Sequence, residues 1–252
     1  MESFIYSFLA GISTVLGAVI IWFFGLPGVK TLSGLLGFAG GIMIAISLFD
    51  LLPEALEMGS MILVVAGFLL GAGMMYLLDK IIPHAHMSAP DKLEVENVNN
   101  LDDANYFSNK ILRTGYLIFL GIAIHNLPEG LAIGAGLEAS PELGLYIAVA
   151  IGLHNIPEGM AVAGPLRAGG LTFKKIFLLT LLAGLMTPLG AAIGLIMFSV
   201  SSLFVAGGLA FAAGAMIYIV NDELIPQAHN LDSHVANAGL IIGLLLGFVL
   251  LV

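Results

Sequence analysis

The sequence predicts an all-α polytopic membrane protein with eight transmembrane helices in a 3+2+3 inverted-repeat arrangement. Of its 252 residues, 59% are hydrophobic and only 10% are charged, a composition typical of membrane proteins. The apolar residues fall into eight runs of roughly 20, the length at which a helix crosses a bilayer. In addition, two segments of the sequence each occur twice.

The eight predicted spans cover residues 4–24, 32–52, 60–79, 113–137, 143–165, 175–198, 203–225 and 237–252. All eight Lys and Arg residues lie in or beside the connections after the first, third and fifth spans. Because positive charge marks cytoplasmic connections, both termini are expected outside the cytoplasm, in a multi-pass protein of the cell (plasma or inner) membrane. We expect one transmembrane transporter domain over residues 1–252, with a mobile cytoplasmic loop at about 81–112.

A six-residue motif in the fourth span, His-Asn-Leu-Pro-Glu-Gly, returns in the fifth span as His-Asn-Ile-Pro-Glu-Gly. A carboxylate at the bilayer centre is costly, so it normally faces a partner or a water-filled path. On a helix the His and Glu of each motif fall about 40° apart, with the Asn on the same flank. Two such faces suit a divalent transition metal. The predicted ligands are the polar residues of the two motifs: His125, Asn126, Glu129, His154, Asn155 and Glu158.

A second internal match joins residues 38–55 to residues 211–228, with nine of 18 positions identical. Span two therefore corresponds to span seven, as span four does to span five. Because each pair runs in opposite directions across the membrane, the pattern indicates an inverted repeat, whose substrate site is expected near the midplane. This architecture favours transport.

The paired motifs in spans four and five, the outside termini and the long His-containing loop after span three resemble the ZIP (Zrt/Irt-like) family of divalent metal transporters, bacterial type. The resemblance covers essentially the whole chain. It implies that the six motif residues form the metal site, that Met43 adds a soft ligand, and that Glu223, with Asp222 beside it, lines the pathway. It also implies import of zinc, iron, manganese and related ions, with spans one, four, five and six sliding as a unit, as in an elevator.

Thr187 departs from the family pattern, because similar bacterial members often have a Glu immediately before Pro-Leu-Gly in span six, which helps to hold a second metal. A second ion is therefore expected to bind weakly or not at all. Asp50 and Glu54 admit two interpretations, as pathway acids or as interfacial residues that cap interrupted helices. His84 and His86 are either transient metal ligands or ordinary residues of a solvated loop.

The predicted function is zinc-type divalent metal uptake by alternating access, without a catalytic residue or a resident cofactor. The donor set admits Zn²⁺ and also Fe²⁺, Mn²⁺, Co²⁺ and Cd²⁺. The alternative is an intramembrane metal-dependent hydrolase, but no His-Glu-x-x-His motif occurs and the symmetric duplication leaves no distinct general base. A channel would use the same residues. The expected partners are divalent metal ions and the lipid bilayer, with no nucleic acid; the oligomeric state, including a homodimer, stays open.

Overall fold

A chain inside a bilayer must satisfy its own backbone hydrogen bonds, and a helix does so within each segment. The computed structural model describes residues 2–81, 85–86, 94–95, 106–198 and 201–251. Among these residues the fold is helical apart from short connections and two strands of two residues each. The prediction of an all-α polytopic membrane protein is confirmed at this level.

The helices of the described residues are α1 Glu2–Phe24, α2 Val29–Ile46, α3 Leu52–Met58, α4 Met61–Ile81, α5 Tyr106–Ala139, α6 Pro141–Ala168, α7 Phe173–Phe198, α8 Ser202–Ile219 and α9 Ile225–Leu251. Two π-helical turns, Ser47–Leu51 and Val220–Leu224, join α2 to α3 and α8 to α9. The strands β1 Ala85–His86 and β2 Glu94–Val95 pair antiparallel. The candidate loop ligand His84 and most of the predicted long loop lie outside the described residues.

Seven helical stretches of the described residues are long and apolar enough to cross a membrane. They are Phe4–Phe24, Val29–Met58, Met61–Leu78, Leu112–Ala139, Pro141–Ala168, Phe173–Ile196 and Ser202–Leu250. Large apolar side chains on their outer surfaces are exposed, for example Phe24 at 85% and Ile62 at 83%. A surface of this kind fits contact with lipid rather than with water.

The last stretch, Ser202–Leu250, is 49 residues long, far more than the roughly 20 that one crossing needs. Its helical backbone is interrupted at Asp232, whose φ of −162° and ψ of 105° are extended. The Asp232 carboxylate accepts hydrogen bonds from the backbone N–H groups of His234 and Val235. Asp232 therefore caps the start of a new helical segment inside α9.

Helix α5 begins at Tyr106, several residues before the predicted span at 113. Its first turns contain Asn109, Lys110 and Arg113, which are too polar for the hydrocarbon core. The predicted span marks only the apolar part of the helix, and α5 extends beyond it through polar residues.

A proline follows each π-helical turn after one intervening residue. The N–H of Leu52 donates to the carbonyl of Ser47, before Pro53, and the N–H of Ile225 donates to the carbonyl of Val220, before Pro226. A proline ring crowds the carbonyl four residues back and donates no hydrogen bond. The wider five-residue turn accommodates the ring without breaking the helix, and such turns are frequent at functional sites.

Four helix pairs make the main packing contacts: α2 with α9, α5 with α7, α1 with α6 and α4 with α8. Helix α1 also crosses α7, where Gly11 and Gly184 face each other. A Cβ atom on either glycine would overlap the carbonyl oxygen of the other. The two backbones meet because neither residue has a side chain.

Gly11→Ala is expected to lower the melting temperature of the purified protein in detergent by several degrees, because separating the two backbones costs about 1–3 kcal/mol. Gly73→Ala is the matched control, since a Cβ on this helical glycine of α4 meets nothing within 4 Å. Equal melting temperatures for the two variants would contradict the tight crossing of α1 and α7.

Candidate metal centre

Helix α5 contains the first motif and α6 the second, in each case on the buried face. His125 is 1% exposed, and Glu129, His154 and Glu158 are fully buried. Pro128 lies inside α5, and Pro157 inside α6, without ending the helix. The structure thus brings all four predicted imidazole and carboxylate groups into the protein interior.

The four side chains meet crosswise between the helices. The Nε2 atom of His125 lies 3.0 Å from Glu158 Oε1, and the Nε2 atom of His154 lies 2.7 Å from Glu129 Oε1. The distances within each motif are longer, 3.5 Å from His125 to Glu129 and 4.0 Å from His154 to Glu158. Each histidine is therefore paired most closely with the glutamate of the other motif.

These distances fit a shared metal ion. A zinc ion about 2.1 Å from each of four tetrahedral ligands holds the ligand atoms about 3.4 Å apart. The four N···O distances lie on both sides of this value, and ligand atoms of His125, Glu129 and Glu158 all lie within 4.8 Å of one another. His154 is not part of this group, so its ring would have to move toward His125 to complete a four-ligand set.

The Nδ1 atom of His154 lies 3.2 Å from the carbonyl oxygen of Ala150, one turn earlier in α6. A carbonyl only accepts, so Nδ1 holds the proton in this hydrogen bond. In neutral histidine that arrangement directs the Nε2 lone pair at Glu129. The lone pairs of His154 Nε2 and Glu129 Oε1 repel each other at 2.7 Å unless a proton or a metal ion lies between them. A histidine whose Nδ1 atom is held by a carbonyl in this way is suited to bind a metal through Nε2.

The asparagines of the motifs bind neighbouring helices with their amide nitrogens. Asn126 donates to the carbonyl of Ala183 on α7, and Asn155 donates to the carbonyl of Ala10 on α1. Each Oδ1 atom is buried and has no hydrogen-bond partner among the described residues. A side chain held by its nitrogen and left with an open oxygen is suited to a neutral oxygen ligand.

The glycine that ends each motif allows a close approach to another helix. A Cβ on Gly130 would overlap the carbonyl oxygen of Thr187 on α7, and a Cβ on Gly159 would overlap that of Thr14 on α1. The same six-residue motifs therefore supply both the polar groups and the contact surface that positions them.

Glu223, in the second π-helical turn, lines a narrow cavity together with His125, Glu158 and Gln227. Its carboxylate also lies close to α5, since a Cβ on Gly121 would be 3.3 Å from Glu223 Oε1. The cavity has a volume of about 10 Å³ and lies between Glu223 and two members of the cluster, His125 and Glu158. Asp222 instead borders a separate pocket with Tyr218.

Met43 is fully buried in an apolar cluster that also contains Ile151 and Leu209. The cluster includes residues of α5 and α6, so Met43 packs among the helices that hold the motifs. His86 lies in β1, on the connection between α4 and α5.

Thr14 is a buried polar residue that the motif search missed. It is fully buried, as is Thr187, and neither hydroxyl oxygen has a hydrogen-bond partner among the described residues. The number of residues between Thr14 and Thr187 equals the number between matched positions of segments 38–55 and 211–228. The two threonines are therefore equivalent positions of the same repeat. A repeated sequence pattern could have identified Thr14, because Ala-Gly-x-x-Thr-x-Leu-Gly occurs at residues 10–17 and again at 183–190.

Comparison with known proteins identifies the family of the chain. The family model described as "ZIP Zinc transporter" matches residues 1–252. The chain belongs to the ZIP family. The resemblance drawn from the paired motifs is thereby confirmed.

Individual relatives of this ZIP protein align over nearly their full length. A protein named zinc transporter ZupT from Akkermansia muciniphila is 37% identical over 99% of this chain and 96% of its own. A second ZupT, from Chlorobaculum parvum, is 36% identical over 96% of this chain and 94% of its own. Zinc transporter ZIP11 from Xenopus tropicalis is 33% identical over 90% and 89%.

Replacing both His125 and His154 by Ala is expected to weaken Zn²⁺ binding to the purified ZIP protein at least about 100-fold. The loss of an outer hydrogen-bond partner of a metal ligand already costs about 10–100-fold, and here two direct ligands are removed. Isothermal titration calorimetry in detergent measures the affinity. The matched control replaces His229 and His234, two exposed histidines of α9. Parent affinity in the His125 and His154 variant would contradict the site.

Proposed function

We propose that this ZIP protein is a zinc-type divalent metal uptake transporter that moves ions into the cytoplasm by alternating access. The supporting observation is the crosswise pairing of His125 with Glu158 and of His154 with Glu129, in the interior of two candidate membrane spans. Six motif residues hold the ion: His125, Asn126, Glu129, His154, Asn155 and Glu158. Met43 is proposed as a soft ligand from the neighbouring cluster and Glu223 as a pathway ligand.

The proposed architecture is one transmembrane domain over residues 1–252 with eight spans in a 3+2+3 arrangement. The division of the 49-residue stretch at Asp232 gives the eighth span. The Lys and Arg residues lie by the connections after the first, third and fifth spans, which favours termini outside the cell membrane.

Equivalent contacts support the inverted repeat. The inverted repeat makes four pairs of helices equivalent: α1 and α7, α2 and α8, α5 and α6, and α4 and the second part of α9. Under this equivalence the α1–α6 contact corresponds to the α7–α5 contact. Likewise, the α2–α9 contact corresponds to the α8–α4 contact, and all four contacts are observed. The two π-helical turns fall at equivalent positions, and the hydrogen bonds of Asn126 and Asn155 correspond as well.

A small cavity lies beside the cluster on one side of the site. It is lined by Ile118 and Ile122, which precede the motif of α5, and by Glu223 and Gln227. In the proposed topology these residues lie on the cytoplasmic side of the site. The cavity has a volume of about 10 Å³, room for about one water molecule, so it supports a narrow inner route rather than an open passage to the cytoplasm.

The opposite route is closed by the residues equivalent to those of the cavity. Ile147 and Ile151 hold the same places before the motif of α6 as Ile118 and Ile122 hold before the motif of α5, and Leu209 corresponds to Leu36. Ile147, Ile151 and Leu209 are fully buried in a single apolar cluster. Transport requires these contacts to open while those of the cytoplasmic side close.

The donor set is one of nitrogen and oxygen ligands, which suits Zn²⁺ and also accepts Fe²⁺, Mn²⁺, Co²⁺ and Cd²⁺. The buried hydroxyls of Thr14 and Thr187 are neutral, so a second ion beside the first gains no extra anionic ligand. We propose that the second ion binds weakly or not at all.

ZIP family proteins are transporters rather than enzymes, so the hydrolase alternative is set aside. The geometry agrees, because both glutamates are paired with histidines in nearly equivalent surroundings. A catalytic zinc site needs a distinct base and an open position for water.

Glu129→Gln and Glu158→Gln are each expected to lower the rate of Zn²⁺ uptake into proteoliposomes at least about 10-fold. Removing one partner from a buried charged set is costly because the remaining charges stay uncompensated. Glu138→Gln, at the exposed end of α5, is the matched control and should transport like the parent. Parent rates in both Glu129→Gln and Glu158→Gln would show that the site is assigned wrongly.

The alternation can be tested with single thiols, because the chain contains no cysteine. Ile122→Cys lies in the cavity wall, and Ile151→Cys lies at the equivalent closed position. Both positions are buried, so a membrane-impermeant thiol reagent is expected to label each at least about 10-fold more slowly than Glu138→Cys at the exposed end of α5, because a conformation open to either side is at most about 10% populated. Labelling of Ile122→Cys or Ile151→Cys as fast as Glu138→Cys would contradict the closed packing on that side.

A further inference from the structure

Asp50 and Glu54 form an acidic pair where α2 passes through its π-helical turn into α3. Asp50 is only 8% exposed, and its buried Oδ2 atom has no hydrogen-bond partner among the described residues. The Glu54 carboxylate lies close enough for the two charges to repel. Both acids lie within the continuous helical stretch Val29–Met58, so no helix N-terminus accounts for the burial of Asp50.

The sequence places no basic residue on the side of the membrane where this pair is proposed to lie. The connections after the second, fourth and sixth predicted spans contain no Lys or Arg, and these are the connections on the proposed outer side. Lys30 is on α2 but lies at its opposite end. A buried carboxylate normally needs its charge compensated, so here either a proton or a cation from solution must do so.

The internal repeat relates this pair to the cytoplasmic route. In the match between residues 38–55 and 211–228, Asp50 corresponds to Glu223 and Glu54 corresponds to Gln227. Glu223 and Gln227 both line the cavity that reaches His125 and Glu158. The equivalent position for Asp50 and Glu54 is the mouth of a route to His154 and Glu129.

That outer route is filled in this conformation. Leu51, Ile147, Ile151 and Leu209 occupy it, and all four are fully buried in one apolar cluster. Asp50 therefore lies at the outer edge of a closed passage, in the position equivalent to that of Glu223 beside the small inner cavity.

We propose that Asp50 and Glu54 form an outer capture site, which binds a divalent transition-metal cation through carboxylate oxygens before the ion reaches the four-residue cluster. This inference rests on the proposed transport function and adds a second, transient site to it. The two mouths differ in where their acids lie, because Gln227 stands where the repeat has Glu54 and Asp222 stands where it has Phe49. Asp222 borders a separate pocket, so the carboxylate pair is at the outer mouth only. Capture from outside is therefore stronger than rebinding from the cytoplasm, although the equilibrium across the membrane is still set by the ion gradients.

The test compares Zn²⁺ uptake kinetics in right-side-out vesicles for the parent, Asp50→Asn and Glu54→Gln. Glu54→Gln leaves the outer pair with one carboxylate and one amide, as in Glu223 and Gln227. Each variant is expected to raise the KM about 3- to 10-fold, with the maximal rate within twofold of the parent, since an acidic mouth raises the local cation concentration. Glu57→Gln, an exposed acid on the same short helix, is the matched control and should leave the KM unchanged within twofold.

A second measurement uses ionic strength. Raising the salt concentration from about 0.01 to about 0.15 M shortens the screening length to about 8 Å, so the KM of the parent should rise, whereas that of Glu54→Gln should rise less. Because Glu54 is partly exposed, this variant is expected to fold even if Asp50→Asn is poorly inserted.

The outcomes separate the capture site from transport itself. Parent KM values in Asp50→Asn and Glu54→Gln, with uptake still lost when His125 and His154 are replaced, would overturn the outer site and leave the transporter intact. A KM increase of the same size in Glu57→Gln would also overturn it, because a general surface charge would then explain the effect. Absence of saturable uptake in the parent would overturn the proposed function as well.

Discussion

The crosswise pairing of His125 with Glu158 and of His154 with Glu129 is the constraint on which the rest of the structure depends. Two fully buried carboxylates inside candidate membrane spans are costly unless positive charge compensates them. The nearest group to each is a histidine of the other helix, at 3.0 Å and 2.7 Å. Helices α5 and α6 must therefore pack in one register, because a shift of either helix would separate both pairs at once.

Other residues of the motifs extend this register to the neighbouring helices. The amide nitrogens of Asn126 and Asn155 attach the motifs to α7 and α1, and the glycines at the motif ends bring the same helices into backbone contact. Because each amide nitrogen is bonded to a neighbouring helix, the amide oxygen is the atom that remains free to act as a ligand. Packing and ligand orientation are thus two consequences of the same hydrogen bond.

Much of this arrangement is readable from the sequence. The apolar runs locate the helices and the motif spacing locates the four ligands, because both depend on helical periodicity alone. The crosswise pairing is not readable, since it depends on the register between two helices. The π-helical turns are also hidden: Pro53 and Pro226 indicate an interruption, but not whether the helix kinks, ends or widens. Thr14 was missed because its repeat consists mostly of small and apolar residues, whose matches are common in membrane helices.

The near-symmetry of the centre has a physical consequence for directionality. His125 and Glu129 are matched by His154 and Glu158, so the ion meets similar ligands whichever route is open. A site that binds the ion equally in both conformations cannot favour either of them, because a ligand shifts a conformational equilibrium only by its differential affinity. Any preference between the two sides must come from residues that the repeat does not conserve. Among the mouth residues, the replacement of a carboxylate by the Gln227 amide is such a difference, and it lies beside the small inner cavity of this structure.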